Sequence, residues 1–544
     1  MTEQQPPITY ELSTPDEAPA GGGRNTKRLA FGAIATVVVL ALAGGAFAVV
    51  KKLDGGGAQP HDVLPSSVVA YARVDVDPSA SQKIALFKLI RKFPEAADDV
   101  GIKSADQDVR KLLVEEALEE GDCDLSYDDD VKPWLGSRIG VALDDEQVPL
   151  VAIQVSDEEK AEKGIKDLFA CDDEKAAVAF LDGYAIVAET QKQADAAVKA
   201  AEKKPLADNA AFASDFEDLG EQGVASAWGD FEALAEIPDF KAGFASAAGP
   251  DTEKMLKQAG TMATTLRVDG STLELAGLSG LTDAYDTKGG SLDKLPADTV
   301  AALSVGGVGK QVSAQYDAFF SQLDRGFGSP ALEPADGLTP EQQDAYDDFM
   351  ADEPVGLFDP AAMIAEFERS TGLKLPEDLE TLFGESLTVS IGSSNLENVP
   401  ALSGPADVAE LDVALKMTTD PAKAIDLATR LAALASQVGI ELPTKETDDG
   451  AIIATNEDAA EAIDTPNGKL GDDDTFTSVM PYGDDTAFGL FVDVGTILDK
   501  LMEADPPDDV AKDIEEARTV KAVGLSGGKD GEHSVFSLRV SFAK

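Results

Sequence analysis

Apolar and polar residues alternate in short runs along the chain, and this pattern predicts many short β-strands interleaved with helices. In the first part of the chain the pattern predicts strands over 68–74, 138–143, 149–155, 176–181, 184–189, 224–229, 263–268 and 271–278. Alternation with a period of two residues is typical of strands that bury one face. Asp-Gly pairs at 182–183, 269–270 and 530–531 supply the positive φ that two-residue hairpin turns require. The sequence therefore predicts an α+β fold with mostly antiparallel strand pairing.

Segments of similar pattern recur in the same order in two parts of the chain, which predicts an internal duplication. The clearest matches are LPSSVVAYARVDV (64–76) with LPADTVAALSVGG (295–307), the amphipathic helix patterns 82–93 with 310–323, VKPWLGSRIGVAL (131–143) with LETLFGESLTVSI (379–391), and the closing hairpins 264–280 with 523–542. A period above about 200 residues indicates two paired domains and not a solenoid of small repeats. We predict two duplicated α+β halves, 64–285 and 295–544. Separate lobes and one continuous sheet both fit this pattern.

A membrane anchor is predicted near the N-terminus. Residues 29–50 (LAFGAIATVVVLALAGGAFAVV) carry no charge, and about 20 apolar residues are enough for a helix to cross a bilayer. Residues 1–28 are rich in Pro and Gly and are expected to be a disordered cytoplasmic tail, with 51–63 as a linker. We therefore expect a single-pass plasma-membrane protein with an extracytoplasmic bulk and one N-terminal transmembrane helix.

Two other interpretations of residues 29–50 stay open. A cleaved signal peptide would use Ala46-Phe47-Ala48 as a small-x-small cleavage site, but the run exceeds the usual apolar core of a signal and starts late. A buried core helix is the remaining possibility.

The charge balance restricts the partners. The chain has 544 residues, 45 Lys plus Arg and 101 Asp plus Glu, for a formal net charge of −56. The whole excess of acidic over basic residues lies in the part of the chain after residue 52. So acidic a surface repels polyanions, which argues against nucleic-acid binding. Solubility in an ion-rich exterior is the favoured explanation, and capture of cations or of a basic partner is the alternative.

Two cysteines, Cys123 and Cys171, are predicted to form a structural disulfide, as is common in exported domains. Two free thiols are the main alternative. A catalytic thiol is disfavoured because the only histidines, His61 and His533, have no motif around them.

No metal, cofactor or catalytic site is predicted. The acidic runs 128–130 and 472–474 lack the alternating ligands, the Gly and the closing Glu of an EF-hand loop. The run 304–309 has neither a Walker Lys nor a GxGxxG spacing. Trp134 and Trp228 are expected to pack in the core. The acidic segments 326–355 and 464–474 are expected to be loops.

The order of tail, apolar run, linker and LP-x-x-V-V-A-Y start at Leu64, with W-L-G-x-R-x-G-V-A over 134–142, resembles a domain-of-unknown-function family of single-pass actinobacterial envelope proteins. The resemblance covers nearly all of residues 53–544. It implies an envelope location and a duplicated exported domain, and it carries no activity, substrate or catalytic residue.

These observations predict a non-enzymatic, membrane-anchored binding or scaffolding module of the cell envelope. Its expected partners are the lipid bilayer, through the anchor helix, and an envelope protein, lipid or wall polymer. A lipid held between the two halves is one form of this function. A carboxylate-based hydrolase acting on wall polymers and an envelope sensor are the alternatives; a hydrolase would need paired acids, one with a raised pKa.

Overall fold

The structure of the protein is a computed structural model. It describes residues 58–76, 123–171, 175–220, 222–238, 252–280, 289–307, 360–401, 405–482, 486–531 and 533–543, with a few single residues and pairs at 108–118, 240–241 and 309–316. The predicted tail, the apolar run 29–50, the helix pattern 82–93 and the acidic segment 326–355 lie outside the described residues. So does almost all of the helix pattern 310–323.

The described residues form sixteen strands. In chain order these are β1 Val68–Asp75, β2 Leu135–Asp144, β3 Pro149–Val155, β4 Ala177–Leu181, β5 Tyr184–Ala188, β6 Ala225–Asp230, β7 Thr261–Asp269, β8 Thr272–Ser279, β9 Thr299–Gly306, β10 Ser386–Gly392, β11 Val413–Thr418, β12 Thr444–Thr447, β13 Gly450–Ala454, β14 Phe488–Val492, β15 Val520–Asp530 and β16 His533–Phe542. The eight strands expected in the first part of the chain are all present, within three residues at each end.

All sixteen strands belong to one sheet, in the order β12-β13-β11-β10-β9-β14-β15-β16-β8-β7-β6-β1-β2-β3-β5-β4. Every neighbouring pair is antiparallel. This confirms the predicted antiparallel α+β fold, and of the two arrangements left open the continuous sheet is the one observed. We call residues 58–280 the first half and residues 289–543 the second half; strands β8 and β16 join them.

Read outward from the β8–β16 pair, the two halves have the same strand order. One side runs β8-β7-β6-β1-β2-β3-β5-β4 and the other runs β16-β15-β14-β9-β10-β11-β13-β12. The turns at 182–183, 269–270 and 530–531 lie between β4 and β5, β7 and β8, and β15 and β16, as predicted. Their Gly residues have positive φ, 79° at Gly183, 61° at Gly270 and 58° at Gly531.

Helices cover both faces of the sheet. In chain order they are α1 Pro60–Val63, α2 Glu158–Cys171, α3 Gln191–Ala201, α4 Ala210–Leu219, α5 Phe231–Ala235, α6 Thr252–Ala259, α7 Pro360–Thr371, α8 Glu377–Phe383, α9 Pro421–Ser436, α10 Glu457–Asp464, α11 Asp474–Val479, α12 Val494–Glu503 and α13 Asp508–Ala517. Many begin after a polar residue whose side chain accepts a backbone N–H bond, as helix N-termini require: Thr190, Asn209, Asp230, Asp420, Asn456, Asp473 and Asp493.

The two faces have separate cores. Tyr71, Arg73 and Asp75 of β1 project to one face, which we call the entry face because residues 58–64 pack on it. There Tyr71 joins Leu64, Phe212 of α4 and Trp228 of β6 in one buried cluster. On the opposite face, Val151 and Val187 pack against α2.

Several contacts of the first half recur in the second half at the same places in the fold. The Leu206 N–H donates to the Leu64 carbonyl and the Leu470 N–H to the Leu295 carbonyl, both at 2.8 Å. On the same face, Phe212 packs edge-on against Trp228, with ring centroids 5.7 Å apart. Phe476 packs likewise against Phe491, at 5.1 Å. The contact of Leu470 also shows that the expected loop 464–474 contains an ordered 3-10 turn, Leu470–Asp472.

The described residues contain no helix that is both long enough and apolar enough to cross a membrane. The predicted anchor is not among the residues searched. Of the predicted linker 51–63, residues 58–63 are described, and the structure places them against the core of the first half, with Val63 fully buried.

Candidate functional site at the entry segment

Residues 58–64, which we call the entry segment, are inserted into the first half before β1 begins. Val63 and Leu64 are fully buried. The Tyr184 hydroxyl of β5 donates to the Ala58 carbonyl oxygen at 2.8 Å. Gly140 of β2 lies beneath Pro60, and a Cβ on this glycine would collide with the proline ring. The entry segment is therefore part of the folded domain and is held at both of its ends.

Arg73 is the main polar contact of the entry segment. Its Nη1 donates to Gln59 Oε1 at 3.0 Å and to Asp75 Oδ1 at 3.3 Å. Its Nε donates to Ser226 Oγ of β6 at 3.3 Å, and its Nη2 donates to the Gly223 carbonyl. A guanidinium offers five N–H groups in a planar fork, so one side chain can join the entry segment to β1, to β6 and to the loop before β6.

Two buried arginines share one carboxylate at this site. Asp75 Oδ1 lies 3.3 Å from Arg73 Nη1 and 3.3 Å from Arg138 Nε of β2. The side chains of Arg73, Arg138 and Asp75 are 5%, 7% and 11% exposed. Burial raises the pKa of Asp75, although both guanidiniums act to lower it. Burial likewise raises the pKa of the neighbouring Tyr184 to about 12. A charged cluster this deeply buried is costly to break, because each remaining partner would lose its counter-charge.

His61 completes the site. Burial lowers the pKa of His61 to about 4, so the imidazole is neutral at physiological pH. Its Nδ1 lies 3.5 Å from the Tyr71 hydroxyl, and its ring packs on Phe212 with centroids 5.3 Å apart. Burial also raises the pKa of Tyr71. His61 and Tyr71 are therefore both uncharged at neutral pH.

The second half has small side chains where the first half has this charged cluster. Sheet register places Ser304 of β9 where Arg73 lies in β1, since Arg73 pairs with Ser226 and Ser304 with the corresponding Gly489. The backbone N–H of Gly290 donates to Ser304 Oγ at 2.6 Å. Of these two corresponding places among the described residues, only the one in the first half, beside the entry segment, has the charged cluster of Arg73, Asp75 and Arg138.

A second ionic cluster joins the halves on the same face. Glu274 of β8 accepts from Arg539 Nε at 2.9 Å and from Ser537 Oγ at 2.8 Å, both on β16, and from Arg267 Nε of β7 at 3.1 Å. Burial acts to raise the pKa of Glu274, but the charges of Arg267 and Arg539 outweigh it and hold the pKa below its usual range. A carboxylate with three donors and a lowered pKa stabilises the joint and is poorly suited to act as a general acid.

Asp215 of α4 lies near the same joint. It is 2% exposed and accepts from Trp228 Nε1 at 2.7 Å. Burial raises its pKa. Its neighbour Asp218 lies 3.4 Å from His533 Nε2, so the other histidine of the chain contacts the first half from β16. This buried carboxylate holds the indole of Trp228 in the core of the first half.

The two cysteines are joined in the structure. Cys123 and Cys171 form a disulfide with Cα atoms 5.4 Å apart. The bond ties the C-terminal residue of α2 to the segment that precedes a π-helical turn, Tyr127–Val131. Trp134 and Trp228 are 2% and 1% exposed, which confirms that both pack in the core.

Acidic runs in the described part of the chain do not converge as ligands. No group of three or more His, Cys, Asp or Glu side chains fit to hold a metal ion occurs among those residues. Asp128 instead pairs with Lys111 at 2.6 Å and with Lys132 at 3.1 Å. Asp473 caps the N-terminus of α11.

Sequence reasoning did not single out Arg73, Asp75 and Arg138. The sequence feature that could have identified them is the presence of charged residues in otherwise apolar strands. These are Arg73 and Asp75 in YARVD (71–75) and Arg138 in SRIGVA (137–142). Alternation puts such residues on the same face as Tyr71, which predicts burial, and buried charges need partners.

The chain was compared with protein-family models, curated proteins and solved structures, and none of them matches it.

Proposed function

We propose that this protein is a single-pass, membrane-tethered, extracytoplasmic binding or scaffolding module of the cell envelope, without catalytic activity of its own. The observation that carries the proposal is the entry segment. Seven residues, 51–57, separate it from the charge-free run 29–50, and Arg73 and Tyr184 hold it against the core. A domain fastened this close to its anchor stays near the bilayer, which suits a module that presents a surface to partners in the envelope.

The duplication of the exported part is a further element of the proposal. It is supported by the strand order shared by the two halves and by the recurring contacts of Leu64 with Leu206 and of Leu295 with Leu470. The matched aromatic pairs, Phe212 with Trp228 and Phe476 with Phe491, support it as well. Two copies joined edge to edge give one extended sheet, and a sheet of this width offers two broad helical surfaces for binding.

The extracytoplasmic location is supported by the disulfide. Disulfides persist in oxidising compartments and are rare in reducing ones. Cys123 and Cys171 are bonded in the structure. The acidic charge of the exported part agrees with this location, because it favours solubility in an ion-rich exterior.

The absence of catalysis is proposed from the partners of the unusual acids. In the described residues, burial raises the pKa of Asp75, Asp144 and Asp215. Asp75 is held by two arginines, and Asp215 by Trp228. Asp144 accepts the backbone N–H groups of Glu146 and Val148 in the β2–β3 turn. Each has a structural task, whereas a hydrolase needs such an acid to face its substrate.

Membership of the actinobacterial envelope family is part of the same proposal. Of the features that carry the resemblance, the motifs over 64–71 and 134–142 contribute to the entry segment, β1 and β2. Candidate partners are an envelope protein, a lipid or a wall polymer.

Location and tethering are tested together in cells that produce the full-length chain. Membranes are washed with alkaline carbonate, and thiols are trapped with a maleimide that adds mass. We expect the chain to stay in the membrane pellet and to gain mass only after reduction, by two maleimide adducts. A variant lacking residues 29–50 should be released, and a Cys123→Ser/Cys171→Ser variant should gain no adduct. Release of the intact chain by carbonate, or labelling without reduction, would refute the proposal.

The binding function is tested on the same chain purified in mild detergent from its own membrane. Native mass spectrometry is expected to show a reproducible added mass from a lipid, polymer fragment or protein. Incubation with isolated wall material should release no soluble fragments. Fragment release by the purified chain would instead support the hydrolase alternative.

A further inference from the structure

Four lysines form a stripe on the outer surface of α3 and the turn that follows it. Lys192, Lys199, Lys203 and Lys204 are all exposed. Three buried alanines, Ala194, Ala197 and Ala201, mark the face of α3 that packs on the sheet. At about 100° per residue, Lys192, Lys199 and Lys203 project within about 40° of one another and opposite these alanines. We call the four residues the lysine stripe.

The lysine stripe is not neutralised by ion pairs. None of the four side chains forms an ion pair among the described residues, in contrast to the lysines of α2. Lys160 lies 2.8 Å from Asp157, Lys163 lies 3.5 Å from Asp167, and Lys166 lies 2.6 Å from Glu162. In a chain with a net charge of −56, a cluster of unpaired lysines is unusual. Its charge is free to act on an external anion.

The corresponding helix of the second half has the opposite charge. Helix α3 begins after Thr190 at the end of β5, and α10 begins after Asn456 at the end of β13. Strands β5 and β13 hold the same place in the two halves of the sheet. Yet α10 has the sequence EDAAEAID, with four acids and no lysine. The positive stripe is thus a property of the half that follows the predicted anchor and not of this helix position in general.

The lysine stripe also lies next to the entry segment. The Ser66 N–H donates to the Lys204 carbonyl oxygen at 3.0 Å, and the Leu206 N–H donates to the Leu64 carbonyl at 2.8 Å. Residues 51–57 separate the charge-free run from the entry segment. Seven residues span at most about 25 Å when fully extended. If the run 29–50 crosses the bilayer, α3 lies within reach of the lipid headgroups.

We propose that the lysine stripe binds anionic lipid headgroups of the membrane that holds the anchor, so that the first half docks on the bilayer through α3. The inference rests on the anchor put forward under Proposed function. The many acids elsewhere do not prevent docking, because charges separated by more than about 8 Å are largely screened at physiological ionic strength. Asp195 and Glu202 are the acids within the stripe's own segment, which leaves residues 191–204 with a net charge of +2.

The test uses the full-length chain in nanodiscs of phosphatidylcholine, with or without phosphatidylglycerol. A fluorophore is attached to a single Ala196→Cys substitution, an exposed position between Lys192 and Lys199. Lipids with a spin-labelled headgroup quench it when α3 lies on the bilayer. A second chain labelled through Glu461→Cys on α10 serves as the reference. Since each lysine near an anionic surface is worth about fivefold in affinity, we expect strong quenching at position 196 only with phosphatidylglycerol.

A charge-neutralised variant, Lys192→Gln/Lys199→Gln/Lys203→Gln/Lys204→Gln, should lose this quenching at least fivefold while its circular dichroism stays unchanged. The matched control, Lys163→Gln/Lys423→Gln/Lys469→Gln/Lys512→Gln, removes four exposed lysines elsewhere and should keep it. About 1 M salt, at which the Debye length is about 3 Å, should also abolish it.

Quenching that is equal in the two lipid mixtures, or unchanged in the stripe variant, overturns the proposal. A second result also overturns the proposal. In it, a purified anionic wall polymer retains the wild-type chain but not the stripe variant, and phosphatidylglycerol does not change the quenching. That result would identify the polymer as the ligand. Whether the chain is anchored in the membrane is measured separately, by alkaline carbonate extraction. A chain that alkaline carbonate strips from the nanodiscs refutes the tether and this inference together, whereas a retained chain without quenching refutes this inference alone.

Discussion

Gln59 Oε1 lies 3.0 Å from Arg73 Nη1, and this contact joins the entry segment to β1, the first strand of the sheet in chain order. The same guanidinium also donates hydrogen bonds to Asp75, to Ser226 and to the Gly223 carbonyl. Replacing it removes this donor from Gln59, Ser226 and the Gly223 carbonyl, and leaves Asp75 with Arg138 alone. We expect Arg73→Met to lower the free energy of unfolding by about 3–5 kcal/mol, measured by urea titration of the full-length chain in detergent.

The control for this variant is Arg369→Met on α7, whose side chain is 69% exposed. An exposed substitution of this kind should change the free energy of unfolding by less than about 0.5 kcal/mol. Hydrogen exchange should also show faster exchange over residues 58–64 in Arg73→Met. A stability within about 1 kcal/mol of wild type would mean that Arg73 does not hold the entry segment.

Asp378 and Arg430 provide a pH-dependent test. Arg430 Nη1 and Nη2 donate to the two carboxylate oxygens of Asp378 at 2.5 and 2.7 Å, and these hydrogen bonds hold the pKa of Asp378 below its usual range. A pKa lowered by folding gives stability that is present above the unfolded-state pKa, about 3.9 for Asp, and is lost as pH falls below it. Asp378→Asn should therefore cost about 1.5–3 kcal/mol at pH 7, and the difference from wild type should shrink in acid.

Asp426 is the matched control, because it contacts the same guanidinium at 3.1 Å from a side chain that is 70% exposed. Asp426→Asn should cost less than about 0.5 kcal/mol at any pH, since exposed pairs are screened by solvent. Urea titrations of both variants at neutral and acidic pH make the comparison. Equal costs for the two variants would contradict the prediction.

The elements could be predicted from the sequence because they depend on local pattern. Strand β3 was predicted over 149–155 and is observed as Pro149–Val155, since its apolar run is bounded by polar turns. The Asp-Gly hairpins follow from the same kind of local rule. Antiparallel pairing followed from those hairpins.

The site could not be predicted in the same way. Gln59 and Arg73 are 14 residues apart, and Arg73 and Ser226 are 153 apart, so their contacts depend on how β1 sits between β2 and β6. No local pattern specifies that order. Nor did alternation show that β8 and β16 would pair to join two halves into one sheet. Residues 58–63 were predicted only as part of the linker 51–63, and no local pattern showed that Val63 would be fully buried.

Gly223 and Gly270 allow the cost of a positive φ to be compared with the cost of a steric clash. Both have a φ of 61°, a region that side chains other than glycine enter at a cost of about 1–2 kcal/mol. A Cβ at Gly270 would meet nothing within 4 Å, whereas one at Gly223 would overlap the Leu266 carbonyl oxygen. Gly270→Ala should therefore cost about 1–2 kcal/mol, and Gly223→Ala at least about 2 kcal/mol more. Thermal and urea unfolding of the two variants measure the difference; similar values would refute it.

The disulfide should stabilise the first half. Cys123 and Cys171 are separated by 48 positions, and in the chain-entropy model a loop of this length is worth about 4 kcal/mol. We expect Cys123→Ser/Cys171→Ser to lose about that amount, with the increase in hydrogen exchange concentrated in α2 and β2–β5. Reductant should lower the stability of the wild type and leave the double variant unchanged. A wild type that is insensitive to reductant would contradict this prediction.

Glu274 is expected to control the joint between the halves. It lies on β8, its side chain is 12% exposed, and it accepts from Arg539 and Ser537 across the β8–β16 junction as well as from Arg267. Glu274→Gln removes the charge that lies between Arg267 and Arg539, so the two guanidiniums would then repel each other. Because both arginines are partly solvated, we expect a loss of about 2–4 kcal/mol. Hydrogen exchange should rise first at the amides that pair β8 with β16.

The pH dependence of this variant has a defined sign. The pKa of Glu274 is lowered in the folded state, so its contribution is present at neutral pH and is lost as pH falls through the ordinary range of a glutamate, near about 4.3. The exchange difference between wild type and Glu274→Gln should therefore narrow in acid. Glu446→Gln on the exposed edge strand β12 is the control and should leave the junction unchanged. Faster exchange at the outer strands β4 and β12, with an intact β8–β16 pair, would show that the two halves are held together by backbone pairing alone.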